Sequence, residues 1–235
     1  MSTLICFALK EEAAPFEKIA AGKTGVSTII VGIGRQNAEK SVREFLNSCR
    51  SRGDETQIKK DLETPHVVAY EPALVLTCGF AGGLNPELKL GDVVFELSDP
   101  QLPSANSQLQ AKLLAAGAKP AQIFCADRIA TTVAEKKKLR AETGADAVEM
   151  ESAAIQAVCA ERGIPCATVR VISDTANEDL PLDFNALAKA DKSIDFGKLF
   201  FAIAKSPGKI SALMALQKKT KFAAAQLAGV LEKII

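Results

Sequence analysis

Short apolar runs rich in Val, Ile and Leu alternate along the chain with longer segments of helical periodicity, and this alternation constrains the fold more than any other feature. It is typical of a sheet whose strands are connected by helices. The sequence therefore predicts an α/β fold. Strands are expected at 4–9, 27–31, 73–78, 92–97, 122–126, 147–150 and 166–172, and helices at 37–50, 104–116, 132–142, 152–162, 184–205 and 210–235.

The amount of apolar sequence indicates one core. A chain of 235 residues, 48% of them hydrophobic, can bury such a core alone, so we expect a single domain over 1–235. Lys and Arg (29) balance Asp and Glu (28), which argues against a nucleic-acid partner. The sequence contains neither a bilayer-length apolar run nor the pattern of a signal peptide at 1–10. We therefore expect a cytoplasmic protein without a membrane span.

The cysteine and histidine content excludes several kinds of site. The six cysteines lie mostly in apolar runs and lack zinc-ligand spacing, so we interpret them as reduced core residues and expect no metal. The single histidine, His66, lies in a polar stretch with no nucleophile motif, which favours a surface loop over a catalytic triad.

Two glycine patterns suggest close approach of the backbone to a ligand. Gly32 and Gly34 follow a predicted strand, but Asn37 replaces the third glycine of a dinucleotide fingerprint, so a dinucleotide-binding module stays only as an alternative. The segment Gly79–Gly83 follows the strand at 73–78 as a predicted turn. Its amides either bind an anion or a ribose hydroxyl or form a tight turn without a ligand.

Charged side chains gather where predicted strands end. Glu149 and Glu151 stand where a strand passes into a helix, and buried acids there are costly unless they are paired or functional. One helix and one strand connect Glu151 to Arg170, and in a parallel arrangement both would lie at the same edge of the sheet. Open α/β sheets bind ligands at that edge. The expected cluster comprises Glu12, Glu151, Arg170, Ser173 and Asp174.

Such a cluster suits the cleavage of a glycosidic bond. A carboxylate accepts hydrogen bonds from two neighbouring ribose hydroxyls, a second acid protonates a departing heterocycle, and a third orients or deprotonates water. The transition state resembles an oxocarbenium ion, which needs these groups. Neighbouring like charges help to keep one carboxyl group protonated.

Several segments resemble the nucleoside phosphorylase and nucleosidase superfamily, and most of all the 5′-methylthioadenosine/S-adenosylhomocysteine nucleosidases. They follow the family order over about three quarters of the chain. The Glu-Met-Glu and Arg-x-x-Ser-Asp motifs are the most specific. The segments are Ala8–Glu12, Gly32–Gly34, Cys78–Leu84, Gly91–Val93, Val148–Ala154 and Ile164–Asp174.

The resemblance implies a three-layer αβα sandwich with a central mixed, mostly parallel twisted sheet, and a homo-oligomeric enzyme of methionine salvage that needs no cofactor. It implies that Glu12 handles water, that Asp174, held by Ser173, protonates N7 of a purine, and that Arg170 orients the sugar-side carboxylate or contacts the nucleophile. It places Glu151 and Met150 at the ribose. The substrate-binding set is completed by Glu149, Phe80, Ala81, Gly82 and, through main chain offered to the base, Arg128 and Ile129.

The segment between Leu97 and Ala121 is shorter than the family pattern, which leaves the 5′-substituent and the usual dimer open. Hydrolysis is favoured because Glu12 at the attacking position would repel phosphate. Phosphorolysis of a purine nucleoside or of a bulky, for example hopanoid-linked, adenosine remains an alternative, with phosphate as co-substrate bound by Arg35, Arg128 and Arg170. A nucleoside-binding sensor without chemistry is the second alternative.

Overall fold

In the part of the chain that the structure describes, eight strands form one central sheet. The computed structural model describes residues 2–51, 71–97, 103–187 and 209–235. The strands are β1 (Thr3–Phe7), β2 (Val26–Ile30), β3 (Leu74–Gly83), β4 (Val93–Leu97), β5 (Lys119–Pro120), β6 (Ile123–Cys125), β7 (Ala147–Glu149) and β8 (Cys166–Asp174).

Helices cover both faces of this sheet. One hydrophobic cluster joins Ile5 and Phe7 of β1 to α1, α3 and α7, and another joins Leu4 and Cys6 of the same strand to α2 and α5. Successive side chains of a strand point to opposite faces, so alternate residues of β1 enter different layers. The helices are α1 (Lys10–Ala20), α2 (Arg35–Ser51), α3 (Pro103–Ala115), α4 (Val133–Thr143), α5 (Ser152–Arg162), α6 (Phe184–Leu187) and α7 (Lys209–Ile234).

The sheet is mixed. Its main path runs β2-β1-β3-β8-β4-β5, in which β1, β2, β3 and β8 are mutually parallel and β4 is antiparallel to β8. Strand β7 pairs antiparallel with the last residues of β3 and parallel with β6. Five of the seven strand pairs are parallel. The predicted α/β class, with a mixed and mostly parallel sheet between helical layers, is confirmed.

Two expectations about the site edge are wrong. The segment Gly79–Gly83 is not a turn, because it continues β3 and pairs with β8 and, at its end, with β7. Strands β7 and β8 are antiparallel to each other, since β7 runs against β3 and β8 runs along it. Arg170 therefore meets Glu151 from the middle of β8, and not because two parallel strand ends share an edge.

The other predicted helix and strand boundaries differ less from those in the structure. The first strand ends at Phe7, and α1 begins at Lys10, so Glu11 and Glu12 lie in the first turn of a helix that was not predicted. The two-residue strand β5 was not predicted either. Of the helix expected at 184–205, the described part is α6, and the rest lies outside the described residues, as does His66.

The six cysteines agree with the prediction, since all are free and buried. None of the described helices is both long and apolar enough to cross a membrane.

Candidate active site

A cavity of about 440 Å³ lies at the carboxyl ends of β1, β3 and β8. This volume falls within the usual range for small-molecule sites. Of the residues predicted for nucleoside binding and hydrolysis, Arg170 alone does not line the cavity, because it is buried beneath it. Those that do are Glu12, Phe80, Ala81, Gly82, Arg128, Ile129, Glu149, Met150, Glu151, Ser173 and Asp174.

The Glu12 carboxylate is fixed by two main-chain donors. Its Oε2 accepts a hydrogen bond from the N–H of Leu9 at 3.0 Å, and its Oε1 accepts one from the N–H of Phe80 at 2.9 Å. Glu12 is only 3% exposed. Burial raises the pKa of Glu12 to about 7, although the Phe80 hydrogen bond and the Arg170 charge oppose the rise. A carboxyl group with this pKa exchanges protons readily near neutral pH.

Gly79 allows this arrangement. A Cβ atom at this position would lie 2.9 Å from both carboxylate oxygens of Glu12 and 2.8 Å from Nη1 of Arg170, and the backbone has φ +147°. Both the contacts and the backbone conformation disfavour any side chain. The missing side chain lets an acid and a guanidinium group approach the strand together.

Arg170 lies between two carboxylates. Its Nη2 donates to Oε2 of Glu149 and, at 3.0 Å, to Oγ1 of Thr77, while Nη1 lies 3.5 Å from Oε2 of Glu151. Oε2 of Glu149 also accepts from the N–H groups of Glu151 and Ser152, and the Ser152 hydroxyl donates to Oε1 at 2.6 Å. Burial acts to raise the pKa of Glu149, but Arg170 and these donors hold it below the ordinary value. Glu149 is thus an ionised anchor with both oxygens engaged.

Glu151 is less completely bonded than Glu149. Its Oε1 accepts from the N–H of Gly34 at 2.8 Å, and Oε2 has only the long contact with Arg170. Burial raises the pKa of Glu151, and the charge of Glu149 raises it further, against the effect of Arg170. Oε2 retains capacity to accept hydrogen bonds from a ligand in the cavity. The Gly34 amide, which a dinucleotide-binding module would offer to a pyrophosphate, is occupied by this carboxylate.

Asp174 has a partner that was not predicted from the sequence. Its Oδ1 accepts a hydrogen bond from the Ser173 hydroxyl at 2.8 Å, as expected, and its Oδ2 forms an ion pair with Nζ of Lys136 at 2.6 Å. Lys136 lies on α4 in a run of three lysines, a pattern typical of a solvated helix face. No local signal in the sequence distinguishes it from its neighbours.

The main chain of Ile129, which is expected to face the base, forms hydrogen bonds with a residue that was not predicted. The N–H of Ile129 donates to Oδ1 of Asn185, and Nδ2 of Asn185 donates to the carbonyl of Ile129, both at 2.9 Å. Arg128 has a largely exposed side chain and pairs with Glu135. A carboxamide from the start of α6 therefore occupies the donor and acceptor of Ile129 inside the cavity.

The three arginines proposed as an anion site do not converge. Arg35 donates to the carbonyl of Cys125, pairs with Asp127 and does not line the cavity. Arg128 has its own carboxylate partner, and Arg170 is enclosed with Glu149. Among the described residues, no group of three or more His, Cys, Asp or Glu is arranged to hold a metal ion.

The chain is similar to known proteins in sequence and in fold. The family profile described as phosphorylase superfamily matches residues 98–204. The 5′-methylthioadenosine/S-adenosylhomocysteine nucleosidase of Shewanella halifaxensis is 31% identical over 144 residues, which span 49% of this chain and 63% of that protein. The nucleosidase of the same name from Staphylococcus aureus is 30% identical over 166 residues, which span 66% of this chain and 71% of that protein.

Among solved structures, futalosine hydrolase of Helicobacter pylori aligns with a TM-score of 0.66 at 17% identity, covering 100% of this chain and 97% of that one. The shared architecture and the sequence profile place the chain among phosphorylase-fold proteins. Within that class, the chain belongs to the family of the 5′-methylthioadenosine/S-adenosylhomocysteine nucleosidases. The resemblance drawn from the Glu-Met-Glu and Arg-x-x-Ser-Asp motifs is confirmed.

Proposed function

We propose that this protein hydrolyses the N-glycosidic bond of an adenine nucleoside such as 5′-methylthioadenosine or S-adenosylhomocysteine. The observation that carries the proposal is the environment of Glu12. This carboxylate lines the cavity, is held by two amides, and has a pKa raised to about 7 by burial. Such a group accepts a proton from water near neutral pH.

The other side chains take complementary roles in this proposal. Glu151, assisted by Met150, binds the ribose hydroxyls through the oxygen that has only a long contact with Arg170. Asp174, held by Ser173, protonates the departing base. Arg170 balances the charge of Glu149 and Glu151 beneath the cavity. Phe80, Ala81 and Gly82 form the wall against the sugar.

The electrostatics of the cavity support water over phosphate as the nucleophile. Arg35, Arg128 and Arg170 each have an acidic partner, and Arg35 lies outside the cavity. A phosphate dianion requires cations that are available to it. The carboxylates of Glu12 and Glu151 would repel it. The reaction is proposed to need no cofactor, in a cytoplasmic homo-oligomer whose subunit is the single domain 1–235.

The test is chromatographic detection of free adenine after incubation with methylthioadenosine, adenosylhomocysteine and adenosine, with phosphate present and rigorously absent. We expect adenine in both conditions. Asp174→Asn should lower its release by roughly 100-fold or more. Asp92→Asn is the matched control. The Asp92 carboxylate accepts a hydrogen bond from the N–H of Lys89 and pairs with Nζ of Lys119, and it does not line the cavity. Adenine release that requires phosphate would contradict hydrolysis, and full activity of Asp174→Asn would contradict the acid role.

A further inference from the structure

Lys136 is an enclosed lysine beside the cavity. Its side chain is 0% exposed, whereas Lys138, two residues later on α4, is 75% exposed. Nζ of Lys136 lies 2.6 Å from Oδ2 of Asp174, 2.8 Å from the carbonyl of Thr175 and 2.9 Å from the carbonyl of Glu178. A lysine ammonium has three N–H donors, so these three acceptors satisfy all of them.

In the resting protein, a charged lysine satisfies this geometry best. A neutral amine has only two hydrogens and would leave one of the three oxygens without a donor. Burial of an unpaired charge is costly, and the Asp174 carboxylate supplies the opposite charge. The ammonium also fixes the turn after β8, because two of its acceptors are main-chain carbonyls in that turn.

The ion pair between Lys136 and Asp174 determines which groups can supply a proton to a leaving base. Asp174 accepts hydrogen bonds from two groups, the Ser173 hydroxyl and the Lys136 ammonium. An ammonium releases a proton far more readily than an alcohol does. A leaving base becomes strongly basic as its bond to the sugar breaks, and Asp174 lines the cavity in which the base would lie.

We propose that Lys136 is a positioning residue that supplies, through Asp174, the proton taken up by the departing base. This inference rests on the proposed hydrolysis. The N–H bond at Nζ breaks as Oδ2 of Asp174 takes the proton, and the Asp174 carboxyl passes a proton to the base nitrogen. The bond between the base and C1′ breaks with its electron pair going to the base.

The remaining atoms balance. The water oxygen forms the new bond to C1′ while one O–H bond of the water breaks and Glu12 takes that proton, so one turnover leaves a neutral amine at Lys136 and a protonated Glu12. Transfer of that proton through the solvent in the opened cavity restores both groups. The net reaction is nucleoside plus water giving base plus free sugar.

The experiment compares two leaving groups in Lys136→Met. A purine nucleoside needs a proton on its base, whereas 4-nitrophenyl β-D-ribofuranoside releases a nitrophenolate that is stable as an anion. At about pH 8 we expect the variant to lose roughly 100-fold in kcat/KM on methylthioadenosine. On the nitrophenyl riboside we expect nearly the wild-type rate. Lys136→Arg, which keeps a cation, should retain more of the nucleoside activity.

The pH dependence provides a second readout. Without the ammonium, Asp174 must take its proton from solvent, so the loss on the nucleoside should shrink toward about pH 5 and grow with rising pH. The other charged groups around the pair stay unchanged in the variants. They are Glu178, which binds Lys219 of α7, Asp179, which caps α4 at the Val133 N–H, and Glu12 and Glu151 across the cavity.

Two further variants keep the test decisive if Lys136→Met unfolds. Lys136→Gln keeps N–H donors for the turn without an ammonium and should show the same selective loss. In an Asp174→Asn background, removal of Lys136 should cost little more on the nucleoside. Equal losses on both substrates at every pH would overturn the proton route alone. A wild-type protein that releases neither leaving group would overturn the proposed hydrolysis as well.

Discussion

Replacement of Glu12 by Gln should make the protein more stable at alkaline pH while it abolishes the proposed activity. Burial raises the pKa of Glu12 to about 7, against an ordinary value of 4.5. The folded protein therefore holds a proton on Glu12 that the unfolded chain loses as the pH rises above about 4.5. The stability from this group is fully present below the unfolded pKa and is lost as the pH rises to about 7.

The size of the effect follows from this difference in pKa. This difference in pKa lowers the free energy of unfolding by about 3 kcal/mol at pH 8.5 and by about 1 kcal/mol at pH 5, relative to acidic pH, where Glu12 is protonated in both states. Gln cannot accept both main-chain hydrogen bonds, since its Nε2 is a donor, and the amide of Leu9 or Phe80 that loses its acceptor costs about 1 kcal/mol. The variant should thus match the wild type near pH 5 and exceed it by about 2 kcal/mol near pH 8.5.

Urea unfolding at these two pH values measures the difference directly, provided that the m-value is unchanged. The matched control is Glu11→Gln, because Glu11 lies in the same helical turn with an exposed side chain. The control should show a difference below about 0.5 kcal/mol at both pH values. If Glu12→Gln changed the free energy of unfolding equally at pH 5 and pH 8.5, the reasoning from a buried, ionisable carboxyl group would be refuted.

Two other predictions concern close contacts in the cavity. Gly79→Ala should cost about 2–4 kcal/mol in urea unfolding, because a Cβ would clash with Glu12 and Arg170. Gly22→Ala, also at positive φ but in open space, is the control, and an equal loss would show that the clash contributes nothing. Asn185→Ala should lower the KM for an adenine nucleoside several-fold, because the carboxamide competes for the Ile129 main chain. Asn47→Ala, whose side chain binds Arg162 instead, should leave KM unchanged, and a rise in KM for Asn185→Ala would indicate a substrate contact.

The elements with the clearest periodicity were predicted well from the sequence. The helix expected at 152–162 has those bounds in α5, the strand at 27–31 is shifted from β2 by one residue at each end, and the strand at 92–97 differs from β4 by one residue at its start. In these segments the local pattern of apolar residues is sufficient to predict the secondary structure. The cavity residues were predicted for a different reason, since most of them follow from the resemblance to the nucleosidase family and only a few from the expectation that charged strand ends lie close together.

The errors arise where pairing partners decide the conformation. Gly79–Gly83 has the composition of a turn, yet hydrogen bonds from β7 and β8 hold it extended. The direction of β7 depends on its pairing with β3, which no local pattern encodes. Lys136 and Asn185 were missed because their side chains acquire importance only through Asp174 and Ile129, which are 38 and 56 residues away.

The balance of buried carboxylates and cations around the cavity favours one type of transition state. Four carboxylates, those of Glu12, Glu149, Glu151 and Asp174, are accompanied by two buried cations, Arg170 and Lys136. Arg170 and Lys136 are directly paired with Glu149 and Asp174, so the charges of Glu12 and Glu151 are the least compensated, Glu151 having a 3.5 Å contact with Arg170. Burial raises the pKa of both carboxyl groups, and the charge of Arg170 opposes the rise only in part. A sugar that develops positive charge as its base departs would be stabilised by these two groups, whereas an incoming phosphate would be repelled. The same excess of carboxylates that makes the folded protein less stable at high pH therefore favours an oxocarbenium-like transition state with water as the nucleophile.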